Sequence, residues 1–261
     1  MRHNDWLFRI TIVMVVVIAA MCISSNARAS KCDTSYGGIS ETITEYQLCR
    51  EYAVGYDSDL KTPMWVAYRV SASTLIKKVR RHGSFASDHR LQKKDRIYSS
   101  RYTRTGYDRG HMAPAINFRY SKKAEKNAFI MSNIVPQLPR VNRGIWKALE
   151  YRIQKTALRD GELLVIDGPI YSLPIAKLKG IVPIPSSFYK IIVRESPLKV
   201  AAFIIPNINP PKKYNLADYA VSVDNIEAIV GIDFLANTPL QIQNSIENIV
   251  PSASDWPLII K

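Results

Sequence analysis

Three segments in the second half of the chain, ELLVIDGPIY (162–171), SFYKIIVRE (187–195) and KVAAFIIP (199–206), are nearly unbroken apolar runs. Runs of this kind belong to strands that bury both faces. The chain is therefore expected to build a central sheet covered on either side. MWVAYRVS (64–71) alternates and is rich in strand formers, and KNAFIMSN (126–133) reads as a further strand ending at Asn133. Between them Val141, Ile145, Leu149 and Ile153 recur every four residues, as on one side of a helix, and RDG at 159–161 stops it. A later helix starts at Ser222, an N-cap residue type, and ends at Gly231. Strands and helices without strict alternation point to an α+β fold. No repeat, low-complexity tract or polar linker divides residues 30–261, which read as one domain.

The N-terminus reads differently. Arg2 and Arg9 precede ITIVMVVVIAAMCI, an apolar run of fourteen residues, and ARA follows at 27–29. This is the pattern of a secretory signal peptide cut after Ala29. The run is short for a membrane span, which makes an uncleaved anchor the lesser alternative. No later stretch is long and apolar enough to span a bilayer, so no stable membrane association is expected after cleavage. The expected location is the periplasm or outside the cell. Cys22 leaves with the signal, and Cys32 and Cys49 remain as an even pair in an exported chain, where a disulfide is the default.

The sequence carries 36 Lys+Arg against 22 Asp+Glu, a formal charge of +14. Loss of residues 1–29, with three arginines and one aspartate, leaves +12. A field of that sign attracts phosphates and speeds their encounter, which favours a polyanionic partner.

GYDRGHMAPA (106–115) sets His111 in distinctive company. Gly110 lets the backbone bend sharply or approach a ligand closely. Pro114 fixes the exit of the turn, and Arg109 can grip a phosphate through paired N–H groups. Asp108 suits a structural role, holding loop or arginine geometry. An imidazole, ordinarily titrating at about 6.5, can take a proton from water near neutrality. His82 and His89, in a polar basic stretch, lack such a setting. Downstream, Asn142, Trp146 and Glu150 are spaced by four, so a helix would carry them on one side. An amide oxygen from Asn142 suits a hard cation such as Mg²⁺, and Glu150 could hold that cation's waters. A base, an arginine and a hydrated metal are what phosphodiester hydrolysis requires.

DRGHMAPA, SNIVPQ and NRGIWKALE together resemble the DNA/RNA non-specific endonucleases, among them secreted bacterial nucleases and mitochondrial endonuclease G. WVAYRV, DGPIY, IPSSFYKIIV, AAFIIPN and SVDNIEAIVGID extend the likeness over roughly 48–237. The resemblance implies a ββα-metal fold with a central, largely antiparallel sheet flanked by helices. It implies His111 as general base, Asn142 as metal ligand, Asn133 and Glu150 as active-site residues, and Arg109 as the motif arginine. An upstream phosphate-contacting arginine is expected at Arg81, with Arg80 as the alternative. Gln154 stands where some relatives carry an arginine. The implied cofactor is Mg²⁺, with Mn²⁺ as a substitute. The implied substrates are DNA and RNA, cut internally to leave 5′ phosphates. Two rival classes are a non-catalytic nucleic-acid binder and a phosphodiesterase for small substrates. The first would not need His111, Asn142 and Glu150 together, and the second would not need the basic surface.

Overall fold

The computed structural model describes residues 38–40, 46–76 and 79–260. The expected signal peptide and Cys32 lie outside these residues. Along the chain run strands β1 (Ile39–Ser40), β2 (Tyr46–Cys49), β3 (Ala53–Asp57), β4 (Thr62–Val70), β5 (Asp108–His111), β6 (Ile134–Gln137) and β7 (Leu163–Ile170). Then come β8 (Lys177–Leu178), β9 (Val182–Pro183), β10 (Ser187–Glu195), β11 (Leu198–Pro206), β12 (Ala220–Val221) and β13 (Asp233–Phe234). The α-helices are α1 (Ala72–Ile76), α2 (Lys122–Ala128), α3 (Lys147–Asp160), α4 (Val223–Val230) and α5 (Leu240–Ile246). Among the described residues no helix is long and apolar enough to cross a membrane.

Seven strands form one sheet in the order β12-β11-β10-β7-β4-β3-β2, every pair antiparallel. The apolar runs supply its centre, and all eight residues of β7 are buried. Alternation along the strands sends side chains to two cores. On one face Val66, Tyr68, Val165, Phe188 and Ile192 pack with Leu149 and Ile153 of α3. On the other, Trp65, Ala67, Ile166, Ile191 and Val193 pack with Val223 and Ile226 of α4 and with Phe234. The sheet is thus covered on both sides, as its composition requires.

β5 and β6 form a separate antiparallel pair, with His111 opposite Ile134. Together with α3 they make the ββα unit that the resemblance implied. Gly110 is needed here, because a Cβ would fall 2.2 Å from the side-chain oxygen of buried Gln137. The close approach in the structure is to Gln137.

Two sequence expectations are corrected. KNAFIMSN is not a strand: α2 ends at Ala128, a 3-10 turn covers Met131–Asn133, and β6 begins at Ile134. The Ser121 hydroxyl caps α2 by accepting from Ala124 N–H, and Ala124 and Ala128 bury one side. That local helix overrides the strand preference of the apolar residues after it. The helix read from Val141 is present and buries its apolar stripe, but only α3, from Lys147, is α-helical. Val141–Trp146 is a wide π-helical turn kinked at Gly144 (φ −106°, ψ −108°). The stop of α3 before Gly161 (φ +97°) and the Ser222 cap and Gly231 stop (φ +69°) of α4 match expectation.

Candidate active site

A cleft of about 690 Å³ is lined by Arg81, His111, Pro114, Asn142, Lys147 and Glu150, together with Gln154. His111 enters at the end of β5. Asn142 comes from the wide turn, and Lys147, Glu150, Tyr151 and Gln154 form one stripe of α3. The kink at Gly144 changes the expected side-by-side arrangement. Asn142 and Glu150 reach the cleft, whereas Trp146 turns into the core at 1% exposure, against Phe188.

The imidazole of His111 sits edge-on to Phe129, with ring centres 4.8 Å apart, and beside Phe85 at 5.5 Å. Its Nε2 is buried without a hydrogen-bond partner. Burial, and then the Arg81 charge, pulls its pKa down from 6.5 to about 4. The ring is therefore neutral and able to accept a proton across the neutral range. The Arg81 guanidinium stacks over Phe129 at 4.9 Å and lines the cleft, whereas Arg80 does not.

Asp108 fixes the amide of Asn142. Its carboxylate accepts from Asn142 Nδ2 at 2.9 Å and from Arg143 Nε and Nη2 at 2.8 and 2.6 Å. Burial opposes the charge, but the bonds from Arg143 and Asn142 hold the Asp108 carboxyl below its ordinary value. A carboxylate can only accept, so the amide must present its NH₂ to Asp108. Oδ1 is thereby left for another partner, which is the oxygen donor that a hard cation takes.

Glu150 lies beside a buried ionic cluster that the sequence reading missed. Lys190 on β10 and Asp167 on β7 are register partners, both 0% exposed, and form a direct ion pair. Lys190 Nζ also donates to Tyr68 Oη at 3.2 Å and sits 4.2 Å above the Trp146 ring. Burial pushes Asp167 up to about 6 even beside this lysine. Burial also pushes Glu150 up to about 8, against the pull of Lys190 and with the help of Asp167. The Trp146 indole N–H faces Glu150 without closing a well-formed hydrogen bond. Glu150 would release its proton when a cation is bound at Asn142, since opposite charge favours the carboxylate. The signal for this cluster was available: charged residues at two positions of strands otherwise buried on both faces.

Two expected site residues do not line the cleft. Asn133 is fully buried, and its amide is committed to backbone. Nδ2 donates to Ala113 O and Ala128 O, both at 2.9 Å, and Oδ1 accepts from Ala113 N–H at 2.8 Å. Asn133 thus clamps the turn that follows His111 and has no donor left for substrate. The Arg109 guanidinium is held by Ser99 (Nε to Oγ and Nη2 to O, both 2.8 Å) and by Thr103 Oγ1 at 3.1 Å. It braces the loop leading into β5. Arg143 and Lys147 line the cleft instead, adding positive charge that the motif reading had not assigned. Gln154 donates to Asn117 Oδ1 at 3.0 Å and offers no charge.

Residues 33–241 match the family described as DNA/RNA non-specific endonuclease. A nuclease of Nostoc sp. is 37% identical over 212 residues, covering 76% of both chains. The human mitochondrial nuclease EXOG is 31% identical over 76% of this chain, which spans 58% of its length. In fold, the chain is similar to a structure of the EndoG/EndoGI complex, with a TM-score of 0.71 and 26% identity over 79% of this chain and 91% of that one. The cleft geometry and these likenesses agree, and the chain belongs to the DNA/RNA non-specific endonuclease family, a metal-dependent family of hydrolases.

Proposed function

We propose that the mature chain is an exported endonuclease that hydrolyses DNA and RNA with little regard for sequence or sugar and uses Mg²⁺, which Mn²⁺ can replace. The observation that carries this reading is the meeting of His111, Asn142 and Glu150 in one cleft with three cations, Arg81, Arg143 and Lys147. Asn142 would hold the metal through Oδ1, and Glu150 would hold its waters. A bound Mg²⁺ supplies charge neutralisation for the phosphoryl oxygens.

The rest falls to the chain's own groups. Neutral His111 accepts a proton from water, whose oxygen attacks phosphorus in line as the bond to the 3′ oxygen breaks. The departing fragment leaves as a 3′ oxyanion that solvent protonates to a 3′ hydroxyl, and the phosphate stays on the 5′ oxygen of the other fragment. Arg81, Arg143 and Lys147 hold the phosphodiester, and Asn133 and Arg109 keep the His111 segment in place. These groups act on the backbone, and phosphate contacts carry no base information. Export rests on the N-terminal pattern, and a Cys32–Cys49 bridge would tie the segment before β2 to the sheet. Cleavage of supercoiled plasmid and of RNA with Mg²⁺ or with EDTA tests the activity. N-terminal sequencing of the exported protein tests processing at Ala29.

A further inference from the structure

On the face of the sheet opposite α3, three acidic residues gather without a basic partner among the described residues. Asp224 and Glu227 stand three apart on α4 and so share one side of it. Glu247 follows α5, and its backbone carbonyl accepts from Asp224 N–H at 3.1 Å. One oxygen from each of the three carboxylates lies within 4.8 Å of the others. Among the described residues none of the three is in an ion pair, although the sequence holds 36 Lys+Arg. Glu227 Oε1 is anchored by Phe234 N–H at 2.7 Å. Glu247 is only 4% exposed, and its Oε1 has no hydrogen-bond partner. Burial and the charges of Glu227, Asp224 and Asp233 push its carboxyl up to about 7. Burying an unpaired carboxylate among like charges is costly unless a cation completes the group.

We propose that Asp224, Glu227 and Glu247 form a calcium site that ties the first turn of α4 to the end of α5. The donor set favours the ion. Ca²⁺ takes six to eight oxygens, carboxylates among them, in flexible geometry at about 2.3–2.6 Å, whereas Mg²⁺ demands near-ideal octahedral geometry and keeps several of its waters. Three carboxylates whose oxygens lie within 4.8 Å of one another can close on the larger ion together. The site is independent of the cleft, because α4 packs in the core opposite to that of α3.

The test is a calorimetric titration of EDTA-stripped, full-chain protein with CaCl₂, paired with thermal melts. It is run on the wild type, Glu247→Gln, Asp224→Asn and, to remove the cleft ligand, Asn142→Ala. Asn142→Ala should bind one Ca²⁺, and the wild type that one in addition to any held in the cleft. At about 100-fold excess over Kd their Tm should rise by about 5 °C. Glu247→Gln and Asp224→Asn should bind at least tenfold more weakly and lose most of that shift. Glu247→Gln relieves repulsion in the metal-free protein, so it should fold and melt no lower than wild type without calcium. Undiminished binding in both carboxylate variants, or loss of all calcium binding in Asn142→Ala, would overturn the site.

Discussion

At the scale of single residues, the cleft depends on what holds each reactive atom. His111 is kept neutral by burial and by Arg81, with its pKa near 4. The acid limb of kcat/KM, which reports the free enzyme, should therefore fall near pH 4 instead of near 6.5. Arg81→Ala removes a charge that disfavours imidazolium and should move that limb upward; a pH–rate series on both proteins checks it. Asp108→Ala frees the Asn142 amide and should raise the Mg²⁺ concentration needed for half-maximal activity by about 10–100-fold. Excess Mg²⁺ should recover part of the rate, which marks a positioning role. Glu150 gives a stability signature in metal-free buffer. Its folded pKa of about 8 lies above its ordinary 4.5. Its contribution to stability is therefore full below about 4.5 and is lost as pH rises through about 8. Relative to wild type, Glu150→Gln should gain stability steadily over that window, as chemical denaturation at several pH values will read.

At the scale of elements, the strand runs and helix stops were legible because burial on both faces and glycine stops leave local marks. The ββα unit was legible only through the motif likeness, since β5 and β6 are four residues each and carry no periodicity of their own. The wide turn at Val141–Trp146 was not legible. Its apolar spacing is that of a regular helix, and the kink at Gly144 accompanies a tertiary contact of buried Trp146 with Phe188 that spacing does not carry. For the same reason the motifs pointed to His111, Asn142 and Glu150, which share the cleft, but gave no sign that Asn133 and Arg109 are engaged by backbone and loop groups. A motif shows which residues matter but not whether a side chain faces substrate or backbone. Asn133→Ala leaves buried backbone groups of Ala113 unpaired and should cost about 3 kcal/mol in urea denaturation. The Lys190–Asp167 pair joins β10 to β7 behind α3. Lys190→Met strands a buried acid and should destabilise by about 3 kcal/mol, with Asp167→Asn added to it restoring much of the loss.

At the scale of the whole molecule, charge and chemistry act in different ways. The excess of lysine and arginine gathers phosphodiester backbone, and counterion release makes such binding fall steeply with salt. KM for matched DNA and RNA duplexes should rise steeply across a salt series at fixed free Mg²⁺, while kcat changes less. A salt-insensitive KM would remove the basic surface from substrate capture. A Cys32–Cys49 bridge, as proposed, would close a loop of about 17 residues and would contribute about 3 kcal/mol in the chain-entropy model. Mass spectrometry of non-reduced peptides reads it directly, and two free thiols would refute it. The decisive measurement is cleavage of supercoiled plasmid and of RNA by purified wild-type and His111→Ala proteins, each with Mg²⁺ or EDTA, with DNA binding followed in parallel. Wild type should cut both substrates internally with Mg²⁺ and neither with EDTA, while folded His111→Ala should bind DNA and lose several orders of magnitude in rate. Cleavage by folded His111→Ala at close to the wild-type rate would contradict the assignment of this cleft as the catalytic site.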